Sequence, residues 1–544
     1  MPPTLTYPGV YIQEIPSPVH TIAAVPTAVA AFVGRAIRGE VNTATRIHSF
    51  ADFERSFGGL WSQSEMGYAV QQYFLNGGAD AFVVRVITQA VLAAFNAAPP
   101  VINLPGLGGA LSIAPNNPGL WFTNAGNVAL KVDSNTRLVG VPPATVPGEF
   151  NLTFVLTETD PVSGAATVTT ESFRNVSVDP ASPTFVTTVL RNDSNFIVTS
   201  GVVPAQAPTP NPPNNPYTFA GQGAGATSDG AALVEADLTN AALLVNKQGI
   251  FALENADIFT LMILPPHSPN EGAAQIDLDP TGTIWSEALS YCQKRRAMLL
   301  IDPPSDWTTK DKAYTALTAA VPPASVVRDP NSAMYFPWLY FGDPMLKGRP
   351  RPFAPSGAMA GVMATIDSKR GVWKAAAGEE AKVLGTQGPV YVLSDPENGD
   401  LNPLGVDCVR TFPIIGTVVW GARTLFGADI QASEWKYLPV RRTALFIEES
   451  LYRGTNWVVF EPNDEPLWSQ IRLNVGAFMR SLFRQGAFQG ATPKEAYFVK
   501  CDSDTTTQND IDNGIVNILV GFAPLKPAEF VVIKISQIAG NIQT

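Results

Sequence analysis

Histidine and cysteine are scarce in this chain, with three of each in 544 residues. His20, His48 and His267 have no acid or nucleophile at a recognisable spacing, and neither a GxSxG nor an HExxH motif occurs. The usual arrangements for nucleophilic and zinc-dependent hydrolysis are therefore missing. Cys292, Cys408 and Cys501 are odd in number and contain no CxxC pair. That excludes a disulfide framework, gives no metal signature, and fits synthesis in a reducing compartment. No apolar run reaches the ~18 residues a membrane helix needs, and Met1–Ile12 lacks the basic start and apolar centre of a secretory signal. Charge is also sparse, at 15% of residues against 45% hydrophobic. Such a surface suits a protein held against neighbours, though a large enzyme core has the same composition. The net charge of −11 argues against a general nucleic-acid binder. The length exceeds what one core sustains, so about two to four domains are expected.

What is present is clearest between Leu438 and Ile535. Leu-Pro-Val-Arg-Arg442 leads into Phe446–Tyr452, and Trp457–Phe460 leads into Glu461-Pro-Asn-Asp-Glu-Pro466. Trp468, Ile471, Val475, Phe478 and Leu482 then recur at three- and four-residue steps, the spacing of one buried helical stripe. Arg472, Arg480 and Arg484 fall on the other side. Asn463 or Asp464 is placed to cap the start, Pro466 suits the first turn, and Gly486 suits the end. Beyond it, Ile515–Phe522 and Phe530–Ile535 read as strands separated by Ala523–Pro527. The second lies so near the last residue that it either pairs at home or offers a free edge to another molecule. Tyr7–Glu14 is a matching β-prone octet, isolated by Pro16 and Pro18 and too apolar in Val10, Tyr11, Ile12 and Ile15 for a solvated tail.

Between these ends, residues 21–88 alternate strand and helix. Val29–Val33 and Ala81–Ile87 are expected as strands, with Phe50–Phe57 and Tyr68–Leu75 as helices closed by glycine pairs. Residues 91–240 turn β-rich: Phe150–Glu158 and Ala166–Phe173 predict a hairpin, Phe185–Leu190 and Phe196–Thr199 continue the β pattern, and Pro204–Pro216 predicts irregular chain. Residues 241–424 return to α/β, with Ile258–Leu264, Ile284–Arg296 and Ala297–Ile301 forming one βαβ unit. Tyr335–Phe341 and Val409–Trp420 add strand-like material.

Candidate chemistry is thin. Gly221-Gln-Gly-Ala-Gly225, read as preceding a helix, lacks the Lys-Ser/Thr pair of a phosphate loop, and Gly106-Leu-Gly-Gly109 lacks the third glycine of a dinucleotide fingerprint. Asp502, Asp504, Asp510 and Asp512 suggest calcium. Loop positions six and twelve, however, are Thr507 and Asn513 from Asp502, or Ile515 and Gly521 from Asp510, where an EF-hand needs Gly and Glu. Glu448-Glu449 and Glu461–Glu465 read as solvated faces and a cap. Asp302 stands after a βαβ strand, where α/β enzymes place active groups; Pro303-Pro304 makes it equally a turn residue. No catalytic, metal or cofactor site is expected.

Several motifs, in order, resemble those of contractile tail sheath proteins of phages and phage-tail-like injection particles. They are Tyr7-Pro-Gly-Val-Tyr-Ile-Gln-Glu14, Val25–Arg35, Phe53–Gly59, Tyr73–Gly78 with Val83–Val86, Pro355–Gly361, Trp420–Leu425 and nearly all of Arg442–Ile535. Residues 91–240 lie outside the resemblance. It implies an α+β, multidomain subunit: an N-terminal linker arm at 1–20, a mixed α/β core at 21–90 and 241–424, an inserted β-rich outer domain at 91–240, and a C-terminal helix-plus-sheet inner domain at 425–544. It also implies self-association into a helical tube around an inner tube protein, with baseplate and terminal cap proteins as partners, and neither nucleic-acid binding nor membrane insertion. Tyr7, Val10, Tyr11 and Ile12, with Phe530, Val531, Val532, Ile533 and Ile535, would be strand arms added to neighbouring subunits. Arg472, Arg480 and Arg484 would face an acidic tube. Synthesis in the bacterial cytoplasm is expected. A surface-binding, adhesin-like β module, suggested by 91–240, remains the alternative, with an enzyme third.

Overall fold

The computed structural model of this chain describes residues 20–532 apart from 125, 140–143, 160–163, 213, 267–282 and 324. Tyr7, Val10, Tyr11, Ile12, Ile533, Ile535, His267 and the expected hairpin turn at 160–163 lie outside the described residues. The chain divides into two units. One comprises Ala28–Thr365 and Ala376–Lys436; the other comprises Met1–Thr27, Ile366–Ala375 and Tyr437–Thr544.

Short apolar runs build the first unit's main sheet. Ala30–Gly34, Ala81–Arg85 and Met298–Ile301 are buried at every position, as parallel strands covered on both faces must be. Eight strands run in the order 44–47, 81–85, 30–34, 261–263, 298–301, 332–336, 407–412, 416–419. The inner six are parallel and the two edge strands antiparallel. The expected βαβ unit is present as Leu261–Ile263, Ile284–Lys294 and Met298–Ile301. Tyr335–Phe341 is not one strand. It breaks at the Phe336–Pro337 bond into Ser332–Phe336 of this sheet and Leu339–Asp343 of a separate three-stranded sheet, because proline has no N–H for a central ladder.

Within the same unit, two four-stranded antiparallel sheets enclose one apolar core that includes Leu152, Phe154, Trp121 and Leu190. The hairpin Glu149–Thr159/Ala166–Ser177 pairs along nearly its whole length and is interrupted by a bulge between Phe173 and Val176, where Asn175 adopts φ +52°. Phe185–Leu190, expected as a strand, is instead the start of the helix Val186–Asp193. Its β-branched residues suggested a strand, but Val186 and Leu190 bury into this core while Thr188, which a strand would place on the same face as both, is exposed. Gly223-Ala224 is a short strand that follows the helical turn Phe219–Gln222 rather than preceding a helix.

The second unit rests on two helices, Leu438–Gly454 and Glu465–Arg484. Asp464 caps the latter by accepting from the Leu467 N–H, Pro466 occupies its first turn, and Gly486 at φ +79° ends it, a backbone conformation that glycine adopts without strain. Trp468, Ile471, Val475, Phe478 and Leu482 pack with Phe446, Ile447 and Phe488 in one core. Removing a buried branched side chain commonly costs about 2–5 kcal/mol, so Ile471→Ala, at a fully buried position, is expected to lower the unfolding free energy of this unit by that amount, read as a lower denaturant midpoint with the slope unchanged. Of the expected strand 515–522 only Leu519–Phe522 is regular, and it pairs antiparallel with Tyr497–Lys500. Residues 515–518 belong to no ladder.

Candidate assembly surfaces

The sheet of the second unit has two strands, so both of its outer edges carry N–H and C=O groups with no third strand beside them among the described residues. Its inner face is Tyr497, Val499, Val520 and Phe522, packed on the helical core. Its outer face presents Phe498 and Leu519, each about half exposed. A side chain at Gly521 would sit 2.3 Å from the Phe498 ring, so that ring lies across the opposite strand.

The chain after this sheet is fastened for a short distance and then let go. Phe488 bridges Pro524, the Gln489 N–H donates to the Ala523 carbonyl, and the Tyr437 hydroxyl lies 3.3 Å from Glu529. Phe530, Val531 and Val532 then stand 76–82% exposed, without strand pairing. Three consecutive exposed apolar residues are unusual unless something covers them.

At the other end of the chain, the segment after residue 19 is anchored. The His20 ring stacks on Trp457 at 4.2 Å, the His20 backbone N–H donates to Asn474 Oδ1, and the Val25 N–H donates to Ser450 Oγ. Arg442, itself buried, draws three separate segments of this unit together. It forms a two-pronged ion pair with buried Asp367 at 3.0 and 2.6 Å and donates to the Thr27 carbonyl at 2.9 Å.

The three arginines of the long helix are not alike. Arg472 is half-buried and folds back onto its own unit, bonding the Cys501 carbonyl and Glu465. Arg480 and Arg484 are exposed and form no hydrogen bond or ion pair among the described residues, so only these two remain open to another molecule.

The residues that hinted at chemistry have structural partners. Buried Asp302 accepts from both the Ser356 N–H and hydroxyl, capping the helix Ser356–Arg370. Thr507 and Asp510 cap each other across the short helix Gln508–Asp512. Asp502 closes its own turn by accepting from the N–H groups of Asp504 and Thr505. Glu449 is not a solvated residue: it is 9% exposed and bonds Arg453 at 2.6 Å. His48 lies 3.6 Å from Asp80, and Cys292, Cys408 and Cys501 are free and buried. No group of three or more metal-binding side chains occurs among the described residues, and no described helix is long and apolar enough to cross a membrane.

Sequence reasoning missed a set of buried arginines. Arg85, 1% exposed, donates to the carbonyls of Ala36, Ile37, Gly39 and Pro118 and to Asn117 Oδ1. Among the described residues no carboxylate bonds it, and burial pushes its pKa down to about 9, which still leaves it charged at neutral pH. Arg38 bonds Glu158 at 2.8 Å, and Arg35 bonds the carbonyls of Asp229 and Gly230. Burial lowers both pKa values. These side chains start from the loop after Ala30–Gly34 or from the neighbouring strand, and each bonds at least one residue of the β-rich segment, which they tie to that loop.

Compared with known proteins, residues 431–538 match the phage tail sheath C-terminal domain family. A prophage major tail sheath protein of Pseudomonas aeruginosa is 29% identical over 181 residues, covering 32% of this chain and 44% of the relative. The tail sheath protein of Burkholderia phage BcepMu is 29% identical over 139 residues, covering 25% and 29% respectively. The matches therefore span less than half the length of either relative. Among solved structures, the sheath complex of an extracellular contractile injection system, in its contracted state, superposes with a TM-score of 0.56 at 21% identity, covering 99% of both chains. The resemblance read from the motifs is borne out in sequence over the C-terminal domain and in fold over almost the whole chain.

Proposed function

We propose that this chain is the repeating subunit of a contractile helical sheath, which surrounds an inner tube and drives it into a target envelope. The observation that carries the reading is the likeness to a solved sheath subunit across 99% of the chain, joined to a tail sheath C-terminal domain at 431–538. Its partners are further copies of itself, an inner tube protein, and the baseplate and terminal cap that bound the polymer. The particle is assembled in the bacterial cytoplasm. The β-rich segment at 91–240 faces outward, and the C-terminal domain forms the inner layer.

The linkage is by strands. Tyr7, Val10, Tyr11 and Ile12 of one copy and Phe530–Ile535 of another add to the open edges of the Tyr497–Lys500/Leu519–Phe522 sheet, so backbone hydrogen bonds supply attraction that is indifferent to side-chain detail. Head-to-tail contacts of this kind close no ring and so propagate a helix. Pro16, Pro18 and Ala523–Pro527 serve as hinges, letting subunits rotate as rigid bodies without losing the link. Negative-stain electron microscopy tests this by comparing the chain with a deletion of residues 1–14, each co-expressed with its tube protein. Long tubes from the intact chain and fragments from the deletion are expected. Monomers from both would overturn the sheath reading and favour a monomeric β binding module; equal tubes from both would overturn the N-terminal arm as a link.

Arg480 and Arg484 meet an acidic tube surface, where the planar guanidinium fork gives oriented hydrogen bonds. Reversing both to glutamate is expected to leave the unit's stability within about 0.5 kcal/mol, as exposed substitutions do, while abolishing co-sedimentation with the tube. Unchanged co-sedimentation would remove these residues from the interface.

A further inference from the structure

In the α/β unit, Glu65 precedes the helix Met66–Leu75, Asp343 ends the strand Leu339–Asp343, and Arg351 lies on the paired strand Arg349–Phe353. The Glu65 and Asp343 side chains are 3% and 4% exposed and share one guanidinium. Arg351 Nη1 donates to Glu65 Oε1 at 2.8 Å, and Nε donates to Asp343 Oδ2 at 2.9 Å. The Phe353 and Tyr68 rings cover that guanidinium at 3.9 and 5.0 Å, which keeps water from screening the cluster.

The two carboxylates are held unequally. Asp343 also accepts from the Tyr68 hydroxyl at 3.1 Å and from the Met345 N–H at 2.8 Å, so its ionised form has donors on both oxygens. Glu65 has Arg351 alone among the described residues. Among the described residues, Asp302, after the sheet strand Met298–Ile301, adds a further like charge. When two buried carboxylates compete for one cation, the less solvated one takes a proton.

We infer that Glu65 is a proton switch in the α/β unit: protonation removes one of the two charges competing for Arg351 and tightens the junction of these three elements. This stands apart from the sheath reading and would hold for a monomer. Burial pushes the Glu65 carboxyl up to about 7, against the pull of Arg351, and Asp302 and Asp343 push the same way. An acid that binds its proton more tightly when folded stabilises the fold while that proton is on. Stability from Glu65 is therefore full below the ordinary value of 4.5, falls as pH rises from there to about 7, and is flat above.

Thermal unfolding of the full chain and of Glu65→Gln, followed from pH 4.5 to 8.5, tests the inference. Glutamine keeps an acceptor for Arg351 and cannot ionise. The variant's Tm is expected to match or fall just below that of the parent at pH 4.5 and to exceed it by a few degrees at pH 8, with the change confined to the window between. A difference that is constant with pH would overturn the switch and leave Glu65 a packing residue. Should the variant not fold, hydrogen exchange of the parent, corrected for intrinsic rates, supplies the decision. Protection of 339–353 is expected to drop several-fold between pH 5 and pH 7.5 while that of Glu465–Arg484 holds. Equal behaviour of both segments would overturn the inference.

Discussion

Replacing Arg85 with alanine is expected to lower the unfolding free energy of the parallel-sheet unit by more than about 4 kcal/mol, or to prevent it from folding. The reason is the number of groups left behind. Four backbone carbonyls and the Asn117 side chain take hydrogen bonds from this one guanidinium in a site closed to water. An unsatisfied buried acceptor costs about 1–3 kcal/mol, and alanine orphans several at once. Arg85→Lys separates charge from geometry: lysine keeps the positive charge but has three donors on a single nitrogen, too few and too close together to reach loops on both sides. It is expected to recover less than half of the loss. Urea unfolding checks this through Trp121, which is 3% exposed and hydrogen-bonded to the same Asn117. A loss below about 1 kcal/mol for alanine would show that water enters and replaces the guanidinium.

Asp367→Ala is the corresponding substitution in the other unit. It leaves Arg442, whose side chain is 5% exposed, without its carboxylate. Breaking one side of a buried pair typically costs about 3–5 kcal/mol, because the remaining charge is uncompensated. The double variant Asp367→Leu with Arg442→Met removes both charges and is expected to recover most of that loss, since apolar replacements of buried pairs are often close to neutral. The Thr27 carbonyl, which also accepts from Arg442, then loses a donor, so recovery falls short by about 1 kcal/mol. Chemical denaturation of the three proteins measures it. If the double variant were as unstable as the single one, packing rather than charge would be the source.

The sequence was most readable where periodicity and punctuation agreed. The helix Glu465–Arg484 begins and ends where Asp464, Pro466 and Gly486 indicate, and its stripe is buried as the spacing requires. The helix Phe50–Phe57 and the strand Ala30–Gly34 were legible for the same reason. Reading failed where tertiary packing overrode local preference, as at Val186–Asp193, or where one residue divided an apolar run, as at Pro337. Side-chain fate was less legible than element type. Arg472 follows the polar side of its helix, yet the carbonyl of distant Cys501 claims it. Glu449, the buried Arg35, Arg85 and Arg442 and the partly buried Arg351 carry no sign of burial, because burial of a charged residue is set by partners far along the chain. Arg35, Arg85 and Arg442 lie inside or at the start of the tail-sheath-like motifs, the one sequence feature that set them apart.

The division of the chain has a consequence for its synthesis. The unit bearing the long helix is assembled from three pieces, residues up to Thr27, Ile366–Ala375 and Tyr437 onward, so most of the core around Ile22, Phe446 and Trp468 included, leaves the ribosome long after it. At about 5–20 residues per second, the first piece waits on the order of tens of seconds, while the residues from Ala28 onward gather around their own sheet. Every nascent or prematurely terminated chain lacks the two-stranded sheet and the last exposed apolar residues. The sheet edges proposed to receive strands from other copies thus mature last, and a chain becomes able to accept such a strand only after the rest of it has had time to fold.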